Sequence, residues 1–104
     1  MANAIVVRYR TTPNAAEENE QLVRDVYREL AERQPDGFHY ITLRLDDGVS
    51  FVHVALQDDD AENPLPELPA FARFQAGLAE RLAEGPQPSP ASVVGSYAFP
   101  AGDG

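Results

Sequence analysis

The sequence predicts an α+β fold: a four-stranded antiparallel sheet with two helices on one face, in the order β-α-β-β-α-β. Three observations carry the prediction. Two amphipathic stripes of helical period flank a strong hairpin signal, a β-branched run opens the chain, and an apolar run closes it. At 104 residues the chain has room for one domain, over residues 1 to 99, followed by a short tail at 100 to 104 expected to be disordered.

The first strand covers residues 3 to 10. Ile5, Val6, Val7 and Tyr9 are β-branched or aromatic, and apolar residues at consecutive positions suit a strand covered on both faces and central in its sheet. Thr11-Thr12-Pro13-Asn14 breaks it, and Asn14 with Glu17 three residues later has the spacing of a capping box. Glu17, Glu18 and Glu20 suit the positive end of the helix that follows. Its apolar stripe is Leu22, Val23, Val26, Tyr27, Leu30 and Ala31, and Pro35-Asp36-Gly37 ends it.

Residues 38 to 45 and 49 to 57 are strand-like and joined by Asp46-Asp47-Gly48. With a two-residue turn at Asp47-Gly48, one face carries Phe38, Tyr40, Thr42, Arg44, Phe51, His53 and Ala55. The other then carries His39, Ile41, Leu43, Leu45, Val52, Val54 and Leu56. A three-residue loop with a bulge at Gly48 would flip one strand and bring His39 to the face of His53. The first register is preferred because it separates an aliphatic face from an aromatic and polar one.

Asp58-Asp59-Asp60 and the prolines at 64 and 66 form a charged loop. A second helix is entered near Leu68-Pro69, with the stripe Phe71, Phe74, Leu78 and Leu82, and Gly85-Pro86 ends it. Pro86, Pro88 and Pro90 read as an extended linker, and residues 91 to 99, with Val93, Val94, Tyr97 and Phe99, as the last strand. This is the split βαβ arrangement called ferredoxin-like. One sheet face stays uncovered by the chain's own helices, and Tyr40, Phe51 and Ala55, or their counterparts in the other register, would make it an apolar patch. A homodimer through the sheet is therefore expected.

At this point the sequence resembles the dimeric α/β-barrel superfamily, and within it the small antibiotic-biosynthesis-monooxygenase-like proteins. The residues that carry the resemblance are the Asp47-Gly48-Val49-Ser50-Phe51-Val52-His53-Val54 hairpin, Phe71-Ala72-Arg73-Phe74-Gln75, and Val93-Val94-Gly95-Ser96-Tyr97. The resemblance implies a ligand cavity between sheet and helices and, for some members, cofactor-independent oxygenation of quinones. It argues against the haem-degrading branch: tryptophan is missing, and neither histidine lies on an expected helix.

Composition narrows the chemistry further. Seventeen acidic against eight basic residues give a net charge of −9, which opposes binding to nucleic acid. The N-terminal apolar run is too short for a signal peptide or a membrane span. Zero cysteines exclude thiolate chemistry and fit a cytoplasmic location. No cofactor or metal is expected: His39 and His53 lack a third ligand, and the Asp58-Asp59-Asp60 run lacks the alternation of a calcium loop.

His53, Tyr40 and Arg44 are the candidate catalytic residues, an imidazole with a phenol donor and a guanidinium fork to orient a small apolar or aromatic metabolite. Tyr9, Tyr27, Phe51, Phe74 and Tyr97 are expected to line its pocket. The competing reading makes His53 a satisfied core residue, places Tyr40 and Arg44 in a dimer interface, and leaves a non-catalytic ligand-binding or accessory dimer.

Overall fold

A computed structural model describes residues 3 to 98 of the protein. The tail expected over 100 to 104 and the end of the expected last strand at Phe99 lie outside the described residues. Four strands, β1 (Asn3–Thr11), β2 (Phe38–Arg44), β3 (Ser50–Gln57) and β4 (Leu82–Ala91), form one antiparallel sheet in the order β2-β3-β1-β4. Helix α1 (Ala16–Arg33) follows β1, and α2 (Pro69–Ala76) and α3 (Leu78–Arg81) precede β4. The expected fold and the central place of the first strand are both present.

In the β2–β3 hairpin Tyr40 pairs with Ala55, Thr42 with His53 and Arg44 with Phe51, the preferred register. The turn is tied by the Gly48 N–H donating to Leu45 O, and the Asp47 carboxylate accepts the Val49 and Ser50 N–H groups at 3.0 and 2.8 Å. Because β1 pairs Ile5 with Ala55, Val7 with His53 and Tyr9 with Phe51, these residues point to the same face. That face meets the helices: Tyr9, Phe51 and Ala55 join Val23, Val26, Leu68, Ala70 and Phe74 in the core.

The expectation that Tyr40, Phe51 and Ala55 lie on the uncovered face is therefore corrected. The helices take the aromatic face, and the aliphatic one is left open. Ile41, Leu43 and Leu45 on that open face are 45, 46 and 38% exposed.

Three further expectations change. The capping box is absent: Pro13–Ala15 forms a 3₁₀ turn and α1 begins at Ala16 without a side-chain cap. The second helix is interrupted at Gly77 and ends at Arg81 rather than at Gly85. A Cβ at Gly77 would stand 3.1 Å from Arg81 Nη1, so the missing side chain lets that guanidinium fold back beside the helix.

The last correction concerns the sheet. The fourth strand is Leu82–Ala91, the segment expected to be helix end and linker, while residues 92 to 98 belong to no element. Proline lacks an N–H, which bars it from the middle of a sheet but not from an open edge. Pro88 and Pro90 sit opposite Val7 and Ile5, whereas Gln87, Ser89 and Ala91 oppose Arg8, Val6 and Ala4. With prolines at alternate positions, their nitrogens all turn to the open edge and the remaining N–H groups turn to β1. Gly85 allows the strand to approach β1 at its irregular stretch: its φ is +92°, and a Cβ there would lie 2.9 Å from Arg8 O.

Candidate functional site

The β1–β3 and β2–β3 pairings place Tyr9, His53, Tyr40 and Thr42 on the helix-facing side of three adjacent strands. His53 is 6% exposed, and both ring nitrogens are engaged. Nε2 lies 2.7 Å from Tyr9 Oη, and Nδ1 lies 2.7 Å from Tyr40 Oη and 3.1 Å from Thr42 Oγ1. Thr42 Oγ1 is in turn 2.7 Å from Tyr27 Oη.

The network continues into the helices. Asn19 of α1, fully buried, donates from Nδ2 to Tyr9 Oη at 2.9 Å, and Arg81 Nε donates to Asn19 Oδ1 at 3.0 Å. Arg81 also donates from Nη2 to Phe74 O at 2.7 Å and lies over the Phe74 ring. Sequence reasoning missed Asn19, Arg81 and the hydroxyl of Thr42 as members of this system.

Burial sets the charge state. Desolvation lowers the His53 pKa to about 4, so the imidazole is neutral near pH 7. Desolvation raises Tyr9 to about 12 against the opposing hydrogen bond from Asn19. Tyr40 is pushed above the usual phenol range, first by desolvation and then by the neighbouring Tyr27 and Tyr9. Between Asn19 and Tyr40 the side chains thus exchange hydrogen bonds without carrying charge.

Tyr9, Tyr40 and His53 border a cavity of about 230 Å³ that is otherwise largely apolar, with Phe71, Phe74, Leu65 and Leu78 in its wall. Pockets for drug-sized ligands hold ~300 to 1,000 Å³, so this space is smaller than those. Of the expected pocket residues, Tyr9 and Phe74 line it. Phe51 lies in the core beneath Tyr9, their rings stacked at 5.5 Å. Tyr27 stacks on Tyr40 at 5.2 Å and reaches the network through Thr42, outside the cavity wall.

Tyr97 is corrected: it is 90% exposed on residues that form no strand. Arg44 is separated from the cavity too. Its Nη1 donates to Glu17 and Glu20 at 2.9 Å each and its Nε to Gly48 O, so it ties the hairpin end to α1. His39 lies on the open sheet face, 3.8 Å from an Asp58 carboxylate oxygen. Among the described residues no three His, Asp or Glu side chains gather where a metal ion could be held, and no helix is long and apolar enough to cross a membrane.

The sequence matches no protein-family profile and, at a significant level, no curated protein. Solved structures do match. A proposed antibiotic-biosynthesis monooxygenase from Nitrosomonas europaea superposes with a TM-score of 0.72 at 16% identity, covering 89% of this chain and 90% of that one. SnoaB from Streptomyces nogalater, a cofactor-independent oxygenase, gives 0.67 at 20% identity over 94% and 98% of the two chains. A second proposed antibiotic-biosynthesis monooxygenase, from Chloroflexus aurantiacus, gives 0.69 at 11% identity over 94% and 98%. At such identities the likeness is one of architecture, and the chain has the ferredoxin-like fold of the antibiotic-biosynthesis-monooxygenase-like proteins.

Proposed function

We propose that the cavity beside His53 binds a small aromatic metabolite bearing a hydroxyl or carbonyl, and that the protein acts on it as a cofactor-independent monooxygenase. The observation that carries this reading is the convergence of Tyr9, Tyr40 and His53 on one wall of a cavity otherwise largely apolar. The shared fold with SnoaB supports the reaction class. In such a reaction the substrate supplies the electrons: a ring CH₂ becomes C=O, one oxygen atom of O₂ enters the product, and the other leaves as water.

The protein's part would be orientation. A phenol of pKa ~10 passing its proton fully to an imidazole of pKa about 4 climbs about 8 kcal/mol. Tyr40 therefore acts as the hydrogen-bonding partner of the substrate, with His53 holding it in place through Nδ1 and ionisation left to the substrate. The same property favours a second reading, a non-catalytic binding protein, since a neutral histidine with both nitrogens engaged within the protein has no free lone pair to take a substrate proton.

Oxygen uptake and calorimetric binding with a panel of one- and two-ring phenols such as 1-naphthol and dihydroxynaphthalenes, whose keto tautomers carry the ring CH₂ that the reaction oxidises, separate the two. Binding with oxygen consumption, weakened about tenfold by Tyr40→Phe, is the expected result. Binding without uptake leaves only the second reading, and no binding across the panel defeats both.

Self-association through the open face belongs to the same proposal. Exposed Ile41, Leu43 and Leu45 stand with half-buried Val52, Val54 and Leu56 on one side of the sheet, an apolar surface suited to a second copy. Light scattering at micromolar concentration is expected to give a dimer, and Leu43→Arg a monomer with unchanged secondary structure. A monomeric native protein would refute the pairing. A cysteine-free acidic chain is also compatible with a cytoplasmic setting.

A further inference from the structure

Arg81 closes α3 with only 5% of its surface exposed, and its guanidinium can donate hydrogen bonds but never accept them. That asymmetry gives the buried network a direction. The Asn19 atom facing Arg81 Nε must be the oxygen, so the Asn19 amide nitrogen is the one that faces Tyr9. An amide N–H only donates, so Tyr9 Oη accepts from Asn19 and sends its own proton to its other neighbour, His53 Nε2. Nε2 is then the bare nitrogen. A neutral imidazole has one proton, and it must sit on Nδ1, directed at Tyr40 Oη and Thr42 Oγ1.

The cavity feels the result at Tyr40. The Tyr9 hydroxyl is closed, accepting on one side and donating on the other. The Tyr40 hydroxyl accepts from Nδ1 and keeps its own proton, for which the Thr42 hydroxyl beside it is the competitor. Thr42 is itself bonded to Tyr27. At the rim, Asn63 Oδ1 already accepts from the Leu65 N–H, leaving that amide's N–H groups as donors.

We propose that Arg81 and Asn19 are positioning residues that hold His53 in the Nδ1–H tautomer and so make Tyr40 a donor to the cavity, whose ligand meets it with a carbonyl or phenolate oxygen. Only the last clause rests on the cavity being a ligand site; the direction of the chain stands on the hydrogen bonds alone.

Nitrogen-15 NMR of the imidazole in the intact protein near neutral pH tests the direction. The native protein is expected to show protonated Nδ1 and bare Nε2. In Asn19→Asp the new carboxylate accepts from both Arg81 and the Tyr9 hydroxyl, so Tyr9 oxygen accepts in turn from Nε2–H and the tautomer inverts. Arg81→Lys, which still only donates, keeps the native tautomer. A native Nε2–H signal overturns the assignment, as does an unchanged tautomer in folded Asn19→Asp. If that variant does not fold, the native spectrum decides.

The ligand clause is tested separately by calorimetry with 1,4-naphthoquinone, which can only accept, against naphthalene. The quinone is expected to bind about tenfold more tightly, the advantage vanishing in Tyr40→Phe. Equal binding of the two overturns the donor role of Tyr40. Binding of neither overturns the ligand-site reading, while the tautomer measured by NMR still decides the direction of the hydrogen-bond chain.

Discussion

Lowering the pH from 7 to 4 is expected to cost the folded protein about 3 kcal/mol through His53 alone. The folded-state pKa of about 4 lies below the ordinary 6.5, so the unfolded chain takes up the proton first. The contribution of neutral His53 is complete above pH 6.5, falls by about 2 kcal/mol by pH 5, and levels off below pH 4. The physical cause is desolvation. A charged imidazole would also need Nε2 to become a donor, leaving the Tyr9 hydroxyl proton without its acceptor. Urea unfolding of the native protein and His53→Gln at several pH values isolates this effect, because both proteins share the titration of the carboxylates, including the depressed Glu20 and Asp47. The stability difference between them is expected to shrink by about 3 kcal/mol over the window. A difference independent of pH, or an NMR midpoint for His53 near 6.5, would show that burial does not govern this group.

How far the sequence discloses this site depends on what kind of signal each residue leaves. The hairpin register follows from alternation around Asp47-Gly48, and it places Tyr40, Thr42, Phe51 and His53 on one face before any helix is considered. Which face the helices take is not written in the hairpin. Both faces are apolar, and the choice is made by long-range packing of Phe74, Leu68 and Val26 against the aromatic side. Asn19 and Arg81 leave a different trace. Asn19 lies four residues before Val23, and Arg81 three after Leu78, so each is a polar residue at a stripe position. Read singly, each looks like an interruption at a helix end. Only the tertiary contact between them, 62 residues apart in sequence, turns two interruptions into a donor and an acceptor. The last strand is hidden for a local reason: proline spacing reads as a linker, and edge pairing is what makes alternate prolines compatible with a sheet.

Phe51→Ala is expected to destabilise the protein by about 3 to 5 kcal/mol, the range for deleting a buried aromatic ring. Phe51 is 1% exposed, pairs with Arg44 on one side and Tyr9 on the other, stacks on the Tyr9 ring and lies 5.8 Å beneath the Arg44 guanidinium. No single side chain could expand into the space without abandoning these partners, so the loss includes a cavity as well as transfer free energy. Against a total stability of ~5 to 15 kcal/mol for a domain, the change removes a large share. Its effect should also reach the site. Tyr9 receives its direction from Asn19 and passes it to His53, and the stacked Phe51 ring is what holds the Tyr9 ring in place. Phe51→Leu keeps most of the volume and is expected to cost about 1 to 2 kcal/mol while leaving the His53 tautomer unchanged. Chemical denaturation gives the first quantity and the imidazole NMR spectrum the second. If Phe51→Ala unfolds within about 1 kcal/mol of the native protein, the packing under Tyr9 is not what fixes the buried chain, and the rigidity of Tyr9 must come from the hydrogen bonds to Asn19 and His53 alone.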